Sequence, residues 1–196
     1  MKKLLFSIFV LVGFSHTLFA QRVENFKLQD IITGKEFELN SKSNQKAVII
    51  IFSSLNCPFS RLYEERIVDL HKTYSDQGYT FVMVNPHFNM EEGESKDDHI
   101  ARSKSRGIIF PILDDSQQVV ARLFQASKLP EVVVITPSQT GFSVVYKGAI
   151  DNNPQVAANA NIKYLDSALQ AIQNRRNPSP SSSRPVGCNI RLTKNN

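Results

Sequence analysis

Two cysteines, Cys57 and Cys188, are the only thiols of the 196-residue chain, and the first lies in the stretch SSLNCPFSRLYEE, residues 53 to 65. Ser54 and Ser60 stand three residues to either side of Cys57, and Pro58 follows it directly. A cysteine sulfur does nucleophilic chemistry as the thiolate. Where a strand gives way to a helix, the unpaired N–H groups of the first helical turn and the positive end of the helix dipole favour that anion. Such cysteines titrate at roughly 3.5 to 7.5, against about 8.5 for a free thiol. The plainer alternative is a small buried apolar side chain with no chemistry. For the pair, three states are open: a structural bridge, a redox couple, or two independent thiols.

The neighbouring elements must supply that geometry. AVIIIFSS, residues 47 to 54, is a continuous β-branched and aromatic run that suits a strand covered on both faces. From Pro58 to about Gln77, the residues Phe59, Leu62, Tyr63, Ile67, Leu70 and Tyr74 recur at three- and four-residue steps. This spacing predicts an amphipathic helix, with Pro58 in its first turn and Gly78 as its stop. YTFVMVN, residues 79 to 85, predicts a second buried strand, parallel to the first and beside or near it.

Around this βαβ unit, FKLQDIITGKEFELN reads as a hairpin or opening strand turning at Thr33–Gly34, and the acidic PHFNMEEGESKDD as a solvated surface loop. A helix is expected near Ser95 to Arg106, a short strand in FPILDD and a short helix in SQQVVARLF. A third buried strand follows in EVVVITP, then a turn at Gln139 to Gly141 and an edge strand in FSVVYKGAI. A closing helix over residues 155 to 174 would carry Val156, Ile162, Leu165, Leu169 and Ile172 on its apolar face. The order describes an α/β fold, a mixed sheet with helices on both faces.

The opening MKKLLFSIFVLVGFSHTLFA reads as a cleaved export signal: Lys2 and Lys3, a short apolar run, and a small residue at Ala20. That run is too short for a bilayer span of about 20 residues, so no stable membrane insertion is expected after cleavage, and the product would be periplasmic or secreted. One domain is expected over 21–174, followed by a poorly ordered Pro/Ser-rich tail, 175–196, that carries Cys188. The formal charge of +5 includes Lys2 and Lys3, and the remaining cations are scattered, which gives no support to nucleic-acid binding. No cofactor motif is present, and the spacing of His87, Met90 and His99 matches no metal-site pattern. Asp151, with Asn152 and Asn153, reads as a turn.

The blocks FSSLNCPFSRLYEER, FPILDD, LPEVVVIT, KGAIDNNP and GCNIR, in that order, resemble the redoxin branch of the thioredoxin-like superfamily. The specific similarity is to the bacterial peroxiredoxin-like group, of the alkyl hydroperoxide reductase and thiol-specific antioxidant type, and it extends over residues 23 to 191. It implies a thioredoxin-like sheet with an N-terminal strand extension. It also implies an enzyme acting on protein thiols or disulfides, or on hydroperoxides, and recycled by an external thiol reductant.

Residue by residue, Cys57 falls on the attacking cysteine of the C-x-x-C motif. Ser60 falls on the second cysteine, and a serine cannot form the usual local disulfide. Pro130 falls on the family's cis-proline beside the thiol, where the backbone of Leu129 and Pro130 would be open to pairing with an incoming extended segment. Ser54 falls where the group commonly has a further cysteine and where true peroxiredoxins have threonine, which keeps a peroxidase reading open. Against that reading, Ile50 and Pro130 stand where peroxiredoxins have a proline and an arginine, with Lys128 and Arg61 as the nearby cations. Cys188 matches a C-terminal Gly-Cys block and has three roles open: resolving thiol, structural bridge or free thiol. A static bridge across so long a loop would stabilise by roughly 5 kcal/mol. Two readings compete with thiol–disulfide exchange: the peroxidase, and a non-catalytic module that keeps the fold for binding.

Overall fold

The apolar run Ala47–Phe52 forms the central strand β4, and every one of its residues is buried. Alternation sends Ile49 and Ile51 to one side of the sheet and Val48, Ile50 and Phe52 to the other, so two apolar clusters share this one strand. The structure, a computed structural model, describes residues 22–193. The expected export signal lies outside the described residues.

Fourteen regular elements follow in chain order among the described residues. They are β1 (Arg22–Val23), β2 (Lys27–Gln29), β3 (Glu36–Glu38), β4, α1 (Pro58–Tyr74), β5 (Tyr79–Asn85), α2 (Lys96–Arg106) and β6 (Ile112–Asp114). After these come α3 (Val119–Leu123), β7 (Lys128–Leu129), β8 (Glu131–Ser138), β9 (Gly141–Gly148), α4 (Tyr164–Gln173) and β10 (Cys188–Asn189). The main sheet has the order β1-β9-β8-β4-β5-β6. β5 lies parallel to β4 and directly beside it, with Ile49 opposite Phe81, while β8 runs antiparallel on the other side. This is a mixed α/β sheet of the thioredoxin-like kind.

α1 and α4 cover one face of the sheet through Ile67, Val68, Leu165 and Leu169, joined by Tyr63, Phe81 and Tyr146. The other face is closed by α3, through Val120 and Ala121, and by the β2–β3 hairpin region, through Phe26, Phe37 and Leu39. α1 begins at Pro58, whose absent N–H leaves no unmet donor at a position where no intrahelical partner exists. Leu62, expected on its apolar stripe, is exposed because it lies on the flank of the buried line Tyr63, Ile67 and Tyr74. α2 starts at Ser95 with a reciprocal capping box to Asp98.

Three expectations are corrected. β9 is not a free edge: Arg22 and Val23 pair with Ser143 and Phe142, and the tail bridges Lys147 through Ser182. The outer N–H and C=O groups of β9 thereby gain partners from both ends of the chain. The closing helix spans only Tyr164–Gln173, and Val156 and Ile162 are exposed. The segment before it is held by side chains instead, with Asn152 and Asn153 accepting the N–H groups of Ile162 and Val156.

The third correction concerns the tail, which is docked rather than poorly ordered. Lys147 exchanges backbone bonds with Ser181 and Ser183, and the Ser183 hydroxyl meets Tyr146 Oη at 2.6 Å. Glycine is required at 148, because a Cβ there would collide with the Ser183 backbone.

Candidate active site

β4 ends at Phe52, and the chain turns through Ser53 to Asn56 before Cys57 caps the N-terminus of α1 in extended conformation (φ −83°, ψ 115°). Ser53 N–H prolongs the parallel pairing by reaching Val84 O at 3.0 Å. The turn is tied across its base by Ser54 N–H donating to Ser60 Oγ at 3.4 Å, with both serines buried. Ser60 thus braces the turn through the backbone of Ser54, a link the sequence does not reveal.

Cys57 is 2% exposed and forms a disulfide with Cys188 across a separation of 131 residues. The Cα atoms are 5.9 Å apart, within the usual range for a bridge. Cys57 Sγ lies 3.0 Å from the carbonyl oxygen of Leu129, and the Leu129–Pro130 peptide is cis. β10 pairs antiparallel with β7, so that Cys188 faces Leu129 and Asn189 faces Lys128. The edge that an incoming extended segment would need is therefore occupied by the protein's own tail. Gly187 is required by this approach, since a Cβ on it would overlap the Leu129 carbonyl and crowd Pro130 N.

Two buried carboxylates hold the backbone on either side of the sulfur. Glu131 Oε2 accepts the N–H groups of Ser127 (2.7 Å) and Lys128 (3.2 Å), while Lys147 Nζ stands 3.5 Å from its other oxygen. Glu94, fully buried, accepts Asn56 N–H at 2.7 Å and Asn85 Nδ2 at 2.7 Å, with His99 Nε2 at 3.2 Å. Burial pushes the Glu94 carboxyl up, but the bonds from His99, Asn56 and Asn85 outweigh it and leave it below the usual carboxylate range. Glu94 thereby anchors the residue that immediately precedes Cys57.

The segment 86–98 consequently is not the solvated loop expected of it. His87, Phe88 and Glu94 are buried: Phe88 packs in the apolar cluster with Ile67 and Phe81, and polar atoms of His87 and Glu94 find partners within the protein. No group of three or more His, Cys, Asp or Glu side chains placed to hold a metal ion occurs among the described residues. His87 N–H donates to Asn85 Oδ1, and its Nε2 accepts Arg191 N–H at 3.1 Å. Burial lowers the His87 pKa, the Arg191 cation lowers it further, and Glu94 acts in the opposite direction.

An open cavity of about 350 Å³ borders the disulfide, lined by Ser54, Asn56, Cys57, His87, Leu129 and Arg191 among others. Lys128 is engaged with Asn189 Oδ1 at 2.6 Å, and Arg61 points to solvent on α1. A larger cavity of about 460 Å³ lies between α1 and α4, beside Arg66 and Asp151. Asp151 there is buried and takes bonds from Tyr63 Oη and Arg66 Nη1, and Arg66 also reaches three backbone carbonyls.

A family model described as AhpC/TSA family matches residues 19–140. The chain belongs to the AhpC/TSA family. Members of this redoxin family are thiol-dependent enzymes, and the chain shares the oxidoreductase class with them. Among solved structures it is similar to a hypothetical protein from Sinorhizobium meliloti 1021, with 26% identity, TM-score 0.79, and coverage of 90% of this chain and 95% of that one. An uncharacterized conserved protein from Geobacillus kaustophilus has TM-score 0.81 at 23% identity, covering 90% and 93% of the two chains. Peroxidoxin BcpB from Mycobacterium tuberculosis shares the fold at 19% identity and TM-score 0.59, over 80% of this chain and 97% of that one. No curated protein matches the chain. Among the described residues, no helix is long and apolar enough to cross a membrane.

Proposed function

We propose that this AhpC/TSA-family protein is an exported thiol–disulfide oxidoreductase in which Cys57 attacks and Cys188 resolves. The observation that carries the reading is the bridge between Cys57, at the N-terminus of α1, and Cys188, on a strand paired with Leu129 beside the cis peptide. With serine at position 60, the neighbouring turn of the helix offers no second thiol, and Cys188 supplies one from the far end of the chain.

In the reducing direction, the Cys57 thiolate attacks one sulfur of a substrate disulfide. The S–S bond breaks, the other substrate sulfur leaves as a thiolate, and a mixed disulfide remains. Cys188, as thiolate, then attacks Cys57 Sγ and expels the second substrate thiolate, which takes up a proton. The substrate gains two electrons and the protein is left with the Cys57–Cys188 bridge. An external thiol reductant restores the two thiols. Ser54 and Ser60 shape the turn that presents the sulfur, and Leu129, joined to Pro130 by a cis peptide, sets its carbonyl 3.0 Å from that sulfur. An oxidising compartment suits a chain with a long-range bridge and a signal-like leader.

A peroxidase reading, in which Cys57 becomes a sulfenic acid that condenses with Cys188, draws support from the family and from the Ser54 hydroxyl bordering the same cavity. Ile50 and Pro130 stand against it. Turnover assays separate the readings. Wild-type protein with an external dithiol should reduce an oxidised model protein, Cys57→Ser should fall to background, and Cys188→Ser should turn over at least tenfold more slowly. Faster consumption of hydroperoxide than of disulfide would favour the peroxidase. Retention of every cellular effect by Cys57→Ser would favour a binding module.

A further inference from the structure

The tail does more than deliver a cysteine. Beyond Cys188 its main chain is gripped, group by group, by side chains and backbone from three separate parts of the fold. Ile190 N–H donates to Ser127 O at 3.0 Å, and Arg191 N–H to His87 Nε2 at 3.1 Å. Gln118 Nε2 donates to Arg191 O at 2.8 Å, and its Oε1 accepts Thr193 N–H at 2.7 Å. Arg122 Nη2 donates to Thr193 O.

Gln118 is fully buried and adopts the left-handed conformation (φ 58°), and His87 is 4% exposed. Gln118 Nε2 also reaches Pro86 O at 3.2 Å, so that end keeps a partner without the tail, whereas Oε1 accepts from Thr193 alone, through N–H and Oγ1, and leaving that buried acceptor unmet is costly. None of these bonds passes through the disulfide.

We infer that Gln118 and His87 form a backbone clamp that keeps Cys188 docked against Leu129 when the disulfide is open. They are positioning residues, acting on the sulfurs through the tail. The inference rests on the proposed role of Cys188 as resolving thiol and adds that this thiol is resident at the site. Two consequences follow. The effective concentration of Cys188 at Cys57 lies far above the millimolar range of a flexible tether. The Lys128–Leu129 edge also remains covered in the dithiol state, so an extended substrate must displace the tail to pair there.

Amide hydrogen exchange on full-length Cys188→Ser protein tests the clamp directly. The amides of Ile190, Arg191 and Thr193 should stay protected without the bridge; exchange at unfolded-chain rates would overturn the inference. A glutathione redox titration of the wild-type pair supplies the second arm. Gln118→Asn keeps a residue type that tolerates the left-handed backbone but shortens the amide by one methylene, so it should lower the effective concentration about tenfold. An unchanged value would overturn the clamp. Neither readout needs a substrate: tail protection with no turnover would defeat the proposed function alone, and turnover with an unprotected tail would defeat the clamp alone.

Discussion

The apolar layer under α1 and α4 and the surroundings of the disulfide are held together by different means. Against α1 and α4 the contacts are aliphatic and aromatic, from Ile49, Ile67, Phe81, Leu165 and Leu169. Around the disulfide, Cys57 packs in the second apolar cluster, and buried polar side chains also bind backbone: Glu94 on Asn56, Glu131 on Ser127 and Lys128, and Gln118 and His87 on the tail. Apolar burial is non-directional and tolerates small shifts. A hydrogen bond to a backbone N–H fixes position and orientation, and the thiol chemistry needs that control. The apolar clusters on both faces therefore supply stability, and the polar bonds around the disulfide supply placement.

Substitutions in each region should separate the two roles. The largest effect is expected for Cys188→Ser, which opens the 131-residue loop and should lower stability by about 5 kcal/mol in denaturant unfolding. Ile67→Ala, in the apolar cluster, should lose about 3 kcal/mol while leaving the rate of Cys57 exchange in the folded protein unchanged. Glu94→Gln inverts that pattern. Its amide would present a donor to Asn85 Nδ2, whose own oxygen already serves His87, so about 2 kcal/mol should be lost together with a slower Cys57 reaction.

The smallest effect concerns pH. His87 accepts the Arg191 N–H only as a neutral ring, with Arg191, Glu91 and Glu94 as the charged groups facing it. Its pKa is lowered in the folded protein, so the neutral ring's contribution is complete above the ordinary value of about 6.5 and is lost as pH falls through the lower folded value. Protection of the Arg191 amide should weaken at mildly acidic pH by less than about 1 kcal/mol, and His87→Gln should abolish the dependence.

The same contrast governs what could be read from the sequence. β4, β5, β8 and α1 were legible because continuous or 3.6-periodic apolar runs report burial directly. The segment 86–98 was not, since Glu94 and His87 are buried by virtue of partners distant in sequence, and polar composition alone suggests solvent. The tail misled for a related reason: a Pro/Ser-rich segment held through its main chain carries no apolar signature. α4 is shorter than the spacing predicts, because Val156 and Ile162 continue a helical period through a segment whose asparagines form turns instead. Cys57 could be singled out from its strand–proline–helix setting, whereas its link to Cys188 rested on resemblance. Glu94, Glu131 and Gln118 have no local signal, apart from the place of Glu94 in a loop that follows a buried strand.

Trapping tests the central claim most directly. Cys188→Ser protein, reduced and mixed with a disulfide-containing protein substrate, should accumulate a covalent adduct. Mass spectrometry should locate it at Cys57, and wild-type protein should clear the same adduct rapidly. If the variant forms no adduct, or if wild type and variant clear it at the same rate, Cys57 and Cys188 do not work as an attacking and resolving pair.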